Sequence, residues 1–278
     1  MVEVREWSRA DTIPFLRNPS PADDKYSRGV VALRTGSAAY PGAAVLGVEA
    51  AWRAGAGYVR HVGAGRAADA VIARRPETVT GSDTGGTRIG AWVIGSGTDA
   101  DGRSADERAA LHDILAGRVP VVVDAGALDL AAGADAPILV TPHAGELARL
   151  RGQLRLESTE DRASAAAETA ARLGGTVLLK GAQTLIASPD GAIITVEAAT
   201  GWMATAGTGD VLAGILGALI AANPDAPLAE TAAAGAWLHG YAGRVAAGMT
   251  QDDSRHGHPI VAMDVAEALP RAIADLLL

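Results

Sequence analysis

Short β-branched apolar runs alternate with alanine-rich segments of helical period through most of the chain. The pattern predicts strands at 30–33, 58–62, 91–94, 119–123, 138–141, 176–179, 184–187 and 192–196. Helices are predicted at 42–54, 104–116, 158–173, 208–222, 229–247 and 261–277. Runs such as VPVVVD and TVLLKG are continuously apolar, which suits parallel strands covered on both faces. The stretch from Thr176 to Val196 breaks the rhythm with three short strands in succession, and Ser188-Pro189-Asp190-Gly191 supplies turn chemistry for a hairpin. Beyond it the chain is helical. Strand–helix alternation of this kind predicts an α/β fold, layered around a mostly parallel central sheet flanked by helices. The sequence shows no repeat or low-complexity tract, so residues 1–278 are read as one domain.

Composition narrows the class. Apolar residues make up 49% and charged residues 20% of the 278, enough for a sizeable core. Phe15 is the sole phenylalanine, so that core must rest on Ala, Val, Leu and Ile. A net charge of −8 speaks against nucleic-acid binding, which needs a basic surface, yet leaves phosphate ligands open, since backbone amides and one or two cations hold them. Without cysteine there is no disulfide framework and no thiolate chemistry. The proline-broken, charged segment from Met1 to Asp24 does not read as a signal peptide, and the longest apolar run, 211–222, is too short to span a bilayer. A cytoplasmic location with no membrane partner is expected.

The strongest local chemistry is Gly207-Thr208-Gly209-Asp210, just ahead of a strongly helical run. Glycines allow a tight turn and close approach to a ligand; Thr208 is read as the helix N-cap. A glycine turn opening a helix offers free N–H groups and the positive end of the dipole, an anion site. Asp210 conflicts with a phosphate there unless it is a base that deprotonates the attacking group; the alternative is a carboxylate that merely favours the first helical turn. Lys25 and Lys180 are the only lysines among 24 basic residues. A compact charge at Lys180, after an apolar strand and before Gly181, suits a nucleotide phosphate, with a surface cation as the alternative. Thr141-Pro142-His143-Ala144-Gly145-Glu146 follows another strand, where doubly wound sheets place ligands. Here Glu146 could hold a magnesium-bound water and His143 a substrate group, or both could serve as loop or cap residues. The other histidines (His61, His112, His239, His256, His258) show no metal-ligand spacing. Glycine-bearing turns at 36–43, 95–98 and 124–128 also follow strands, and each could be a plain βα turn.

In this order the segments GSAAYPGAAVLGVEAAWRAGAGYV, VIGSGT, VVVDAGAL, TPHAGELARL, LLKGAQTLIASPDG and ATAGTGDVLAGILGALIA resemble the dehydratase domain of the NAD(P)H-hydrate repair family. That family is a branch of the ribokinase-like superfamily, and the resemblance runs from about Lys25 to Pro270. It implies ADP- or ATP-dependent dehydration of the S form of NADH or NADPH hydrate: the nucleotide phosphorylates the C6 hydroxyl and phosphate then leaves. By the same resemblance Asp210 is the catalytic base, and the amides of Gly207, Thr208 and Gly209 stabilise the transferring phosphoryl. The resemblance assigns nucleotide binding to Lys180, Gly181, Ala182, Gln183, Thr184 and Gly209. The resemblance further implies that Ala43, Gly97, His143 and Asp210 contact the hydrate and that Mg2+ bridges phosphates; Glu146, through a water, is the residue the strand-end reading offers to that ion. A separate epimerase in the pathway and a homotetrameric assembly are implied as well.

The pattern departs from the family in one place. Where many relatives carry an Asn-Pro-Thr-Gly-Asn type segment, this chain reads Ala198-Ala199-Thr200-Gly201-Trp202, which puts local polar contacts to the nucleotide in doubt. The opening near Lys25 is also loose. Two rival readings use the same turn: a ribokinase-like kinase for a small alcohol of the thiazole or pyrimidine type, and a non-catalytic nucleotide sensor. His143 favours the dehydratase over the kinases, which usually have Asn there; Asp210 and Lys180 speak against the sensor.

Overall fold

A computed structural model describes residues 4–249 and 256–278. In chain order the elements are β1 (Val4–Glu6), α1 (Arg9–Thr12), β2 (Val30–Arg34), α2 (Pro41–Arg53), β3 (Tyr58–Val62), α3 (Arg66–Arg74) and β4 (Val79–Gly81). Then follow β5 (Ala91–Ile94), α4 (Ala105–Leu115), β6 (Val121–Val123), β7 (Ile138–Val140), α5 (Ala144–Gln153) and α6 (Arg162–Leu173). The last are β8 (Thr176–Leu179), β9 (Thr184–Ala187), β10 (Ile193–Val196), α7 (Thr208–Ala222), α8 (Leu228–Ala246) and α9 (Ala262–Leu277).

The ten strands form one sheet in the order β1-β10-β9-β8-β7-β6-β5-β2-β3-β4. All neighbours pair in parallel except β9, which runs against β8 and β10. The architecture is the layered, mostly parallel sheet expected from the alternation, with the hairpin at 188–191 closed by Ser188 N donating to Ala192 O. The central runs are buried on both faces, as their continuous apolarity requires: every residue of β6, β7 and β8 is buried. One apolar cluster lies on the α2, α7, α8 and α9 side of the sheet, the other under α4, α5 and α6.

Some boundaries differ from the sequence reading for identifiable reasons. The helix expected from Ser158 starts at Arg162, because the Asp161 carboxylate accepts from the N–H groups of Ala163 and Ser164. Thr208 is not an N-cap: Gly207, at φ +91°, takes that place, and the Thr208 hydroxyl donates to the carbonyls of Thr205 and Met203 at 3.1 and 3.2 Å. Pro41, not Gly42, is the first residue of α2, a position that has no need of its missing N–H. The pattern also passed over β1, β4, α1, α3 and α5. Both extra strands are three-residue edges with exposed or half-exposed side chains, so no apolar run marks them.

Two packing features set the site's frame. Residues 211–221 of α7 are buried all round, the signature of a helix enclosed by others. A side chain at Gly214 would place its Cβ 2.2 Å from the Gly47 carbonyl, so α7 and α2 pack backbone to backbone. Nearby, the wholly buried Glu49 of α2 is met by Arg53 at 2.5 Å, by Arg74 at 3.3 Å and by a two-pronged pair with Arg75; Arg74 also reaches Glu267 of α9 at 2.6 Å. Burial alone pushes a carboxyl up, but Arg75 and Arg53 outweigh it and hold Glu49 down at about 2.

Candidate active site

The carboxyl ends of β5, β6, β7 and β8 and the start of α7 converge on one charged cluster. β6 delivers Asp124, 2% exposed, and the chain then turns sharply, with Ala125 at φ +43°, a conformation side chains rarely adopt. Asp124 accepts from the hydroxyls of Thr141 at 2.7 Å and Ser96 at 2.9 Å, and from Lys180 Nζ at 3.0 Å. The turn after β5 closes tightly over it: a Cβ at Gly95, φ +96°, would lie 2.1 Å from the Asp124 carbonyl. Lys180 follows β8, and its ammonium also lies 3.7 Å from Glu146. Burial pulls that ammonium down, but Asp124, then Glu146 and Asp210, outweigh it and raise it above the ordinary lysine value.

Asp210 stands in the first turn of α7, on the rim of the Gly207–Gly209 amides. Its carboxyl is pushed up to about 6, first by burial and then by the Asp124 carboxylate, with Lys180 pulling the other way. A carboxylate with a raised pKa beside a lysine is the electrostatic profile of a general base. Gly209 has no side chain where one would come within 3.5 Å of Lys180 Nζ, which leaves the gap between lysine and amides open for an anion.

A cavity of about 430 Å³ opens beside this cluster. Lys180, Gly181, Ala182, Thr184, Thr208 and Gly209 all line it, so the sequence-derived nucleotide residues come together there except Gln183. The Gln183 side chain turns to Glu197, and its carbonyl accepts from Arg162 at 3.0 Å. The far wall holds Ala198, Ala199, Thr200 and Gly201, the segment that departs from the family, so that departure does face the cavity. Trp202 turns away and donates from Nε1 to the His256 carbonyl at 2.7 Å.

Ala43 and Gly97 meet on the neighbouring side of the cluster: a Cβ at Gly97 would lie 2.3 Å from that of Ala43. His143 and Glu146 form a reciprocal cap on α5: Nδ1 accepts from Gly145 N at 3.0 Å and Glu146 N at 3.3 Å, while Glu146 accepts from His143 N at 2.8 Å. The capping alternative is therefore realised, and Glu146 faces Lys180 as well. With Nδ1 accepting, the neutral ring carries its proton on Nε2, and more than half of the ring is exposed. Sequence reasoning placed the turns that hold Ser96, Asp124 and Thr141 after strands but gave these three side chains no role. The available signal was a carboxylate closing the apolar run VVVD at the carboxyl edge of a buried strand.

A mostly parallel sheet with a glycine turn, first-turn aspartate and strand-end lysine at its carboxyl edge places this protein in the ribokinase-like class. Within that class the chain belongs to the NAD(P)H-hydrate dehydratase family, whose sequence model matches residues 31–257. It is similar to the ADP-dependent (S)-NAD(P)H-hydrate dehydratase of Neisseria meningitidis, at 41% identity over 236 residues, 78% of this chain and 77% of the relative. It is also similar to the bifunctional NAD(P)H-hydrate repair enzyme of Mycobacterium tuberculosis, at 44% identity over 77% of this chain and 45% of the relative. The chain thus spans about half the length of the bifunctional curated relatives it matches. Among solved structures, the ADP/ATP-dependent NAD(P)H-hydrate dehydratase of Bacillus subtilis, co-crystallised with ATP and Mg2+, has a TM-score of 0.83 and 26% identity, covering 98% of this chain and 99% of that one. No helix among the described residues is long and apolar enough to cross a membrane.

Proposed function

We propose that this protein dehydrates the S form of NADH or NADPH hydrate at the expense of ADP or ATP, returning the reduced cofactor. The observation that carries the reading is Asp210, a carboxyl raised to about 6 at the edge of an anion turn and beside Lys180. In this reading the hydrate rests on Ala43, Gly97 and His143 with its C6 hydroxyl at Asp210. The terminal phosphoryl of the nucleotide lies between Lys180 and the Gly207–Gly209 amides. Asp210 takes the hydroxyl proton as the oxygen attacks phosphorus, and the amides receive charge on the phosphoryl oxygens. The C6–O bond then breaks with the electron pair leaving on phosphate, C5 loses a proton, and the C5–C6 double bond returns. A separate epimerase acting on the same hydrate would supply the S form from its epimer.

Magnesium suits these residues as a companion of the nucleotide. Among the described residues no group of three His, Asp or Glu side chains is placed to hold an ion. Glu146 would reach it through water, and the ion would supply charge neutralisation on the phosphates. The deciding assay incubates the chain with hydrated NADH, Mg2+ and either nucleotide and follows the return of NADH absorbance. Unchanged hydrate, with phosphorylation of a thiazole or pyrimidine alcohol instead, would replace this reading with the kinase one.

Two expectations follow from the electrostatics. The rate should rise with pH, reach half its maximum near pH 6 and level off about a unit above, because Asp210 must be ionised to accept the proton and its carboxyl titrates at about 6. A flat kcat profile from pH 5 to 8 would exclude Asp210 as the base. Lys180→Ala should weaken nucleotide binding by about tenfold or more, a charge-assisted contact being worth roughly 1.5–3 kcal/mol. It should also move the acidic limb of the rate profile upward, since Lys180 is what pulls Asp210 down. Calorimetry and a pH–rate series on one preparation test both, and unchanged nucleotide affinity would remove Lys180 from the site.

A further inference from the structure

A second cavity, also of about 430 Å³, opens at Glu146. The Glu146 carboxylate lies 3.7 Å from Lys180 Nζ, so the charged cluster borders both cavities. The walls of the second are the turn after β5, the turn after β6 and one face of α5, which carries Glu146, Arg149, Leu150 and Gln153 at helical spacing. Thr98 in the first of these turns directly follows Gly97, and Glu146 shares its cap with His143, so this cavity adjoins the residues that hold the hydrate in the reading above. The reacting ring is only one end of a dinucleotide. The pyrophosphate and the adenosine need room next to it, and the cavity at Lys180 is taken by the phosphoryl donor.

The charges on these walls are uneven. Asp129 is paired with Arg103 at 2.7 Å, and Glu146 is committed to its helix cap and to Lys180. Asp99 and Asp101 are exposed, and neither meets a cation among the described residues; Asp99 accepts only the Asp101 N–H, at 3.1 Å. Arg149 is the one basic residue on the wall, is exposed, and pairs with no carboxylate among the described residues. A Cβ at Gly145 would stand 3.1 Å from the His143 ring and 4.0 Å from Arg149 Nη1, which puts the guanidinium beside that ring. In a dinucleotide the pyrophosphate lies one ribose away from the nicotinamide, within reach of such a guanidinium, whose fork matches phosphate oxygens. Carboxylates suit a ribose 2′-hydroxyl, whereas a 2′-phosphate calls for a cation. We propose that Arg149 holds the pyrophosphate of the hydrate and that Asp99 and Asp101 face its adenosine, so that the protein selects the hydrate of NADH over that of NADPH. The proposal rests on the dehydratase reading given above.

The test is a comparison of kcat and KM for the two hydrates, with saturating ADP and Mg2+, in the natural sequence, Arg149→Gln and the double variant Asp99→Asn, Asp101→Asn. Circular dichroism checks folding. The natural sequence should favour the NADH hydrate by about tenfold or more in kcat/KM, since a 2′-phosphate meets two unpaired carboxylates. Arg149→Gln should raise KM about tenfold for both hydrates and leave the preference in place. The double aspartate variant should narrow the preference by about fivefold, and added salt should narrow it in the natural sequence. Equal or better use of the NADPH hydrate by the natural sequence overturns the proposal without any variant. Arg149→Gln with unchanged KM overturns it, as does a loss confined to the NADPH hydrate, which would place the guanidinium on the 2′-phosphate. A preference untouched in the double variant overturns the role of the two aspartates. Turnover of neither hydrate by the natural sequence is a different result: it removes the dehydratase reading, and this proposal with it.

Discussion

Asp210→Asn is expected to lower kcat by about 10²–10⁴-fold, the usual range for loss of a general base, while the protein still folds and binds nucleotide. The amide keeps the size of the carboxylate and its reach, but it cannot accept the hydroxyl proton. Nucleotide affinity should hold or improve, because a carboxylate next to the anion turn repels phosphate in the ground state. Burial and the neighbouring Asp124 already work against the charged form of Asp210, so removing its charge relieves the site rather than disturbing it. Measuring kcat and nucleotide affinity on the same preparation separates the possibilities. Near-normal turnover would end the proposed mechanism, and poor folding with weak binding would show a carboxylate that serves only its helix.

The largest effect on stability is expected at Glu49, far from the chemistry. Glu49→Ala should destabilise the fold by about 3 kcal/mol, the lower end of the range for breaking a buried ion pair from one side. The lower end applies because Arg53, Arg74 and Arg75 are each 22–41% exposed and can turn to water once the carboxylate is gone. A fall in the denaturant midpoint with kcat preserved at 25 °C is the expected signature; an unchanged midpoint would show that the cluster adds nothing net. The pH dependence has a definite sign. Glu49 is held at about 2 in the folded protein against an ordinary 4.5, so its stabilisation is present above about pH 4.5 and is lost as pH falls towards 2. Activity should fail first, near pH 6, when Asp210 protonates, in a protein that is still folded.

The central sheet was legible because its strands are buried on both faces and therefore read as unbroken apolar runs: VVV at β6 and TVLL at β8 admit few other interpretations. Edge elements were not legible, since β1 exists through its pairing with β10 and not through any pattern of its own. α5 left little trace in the pattern, since Leu147 and Leu150 are its only buried apolar residues and the rest of its surface is polar or small. In the site, the glycine turn and Lys180 were readable as local chemistry. Asp124 was not, since its importance lies in the meeting of three strand ends: it touches Ser96 from the end of β5, Thr141 from the end of β7 and Lys180 from the end of β8. Sequence spacing carries no trace of that meeting.

The backbone contact between Gly47 and Gly214 bears on how the protein moves. α2 begins two residues before Ala43, and α7 begins with the residues of the anion turn. With a carbonyl of one helix seated where the other lacks a side chain, sliding or prying the two apart would open a void in close-packed interior. On the proposed roles, the hydrate end and the phosphoryl end of the site would therefore move as one body, with the distance between attacking oxygen and phosphorus set by the packing of α2 on α7. Turnover in such a frame does not need a hinge between two lobes. Substitutions that enlarge either glycine should blur the alignment of the reactants even where the protein remains folded.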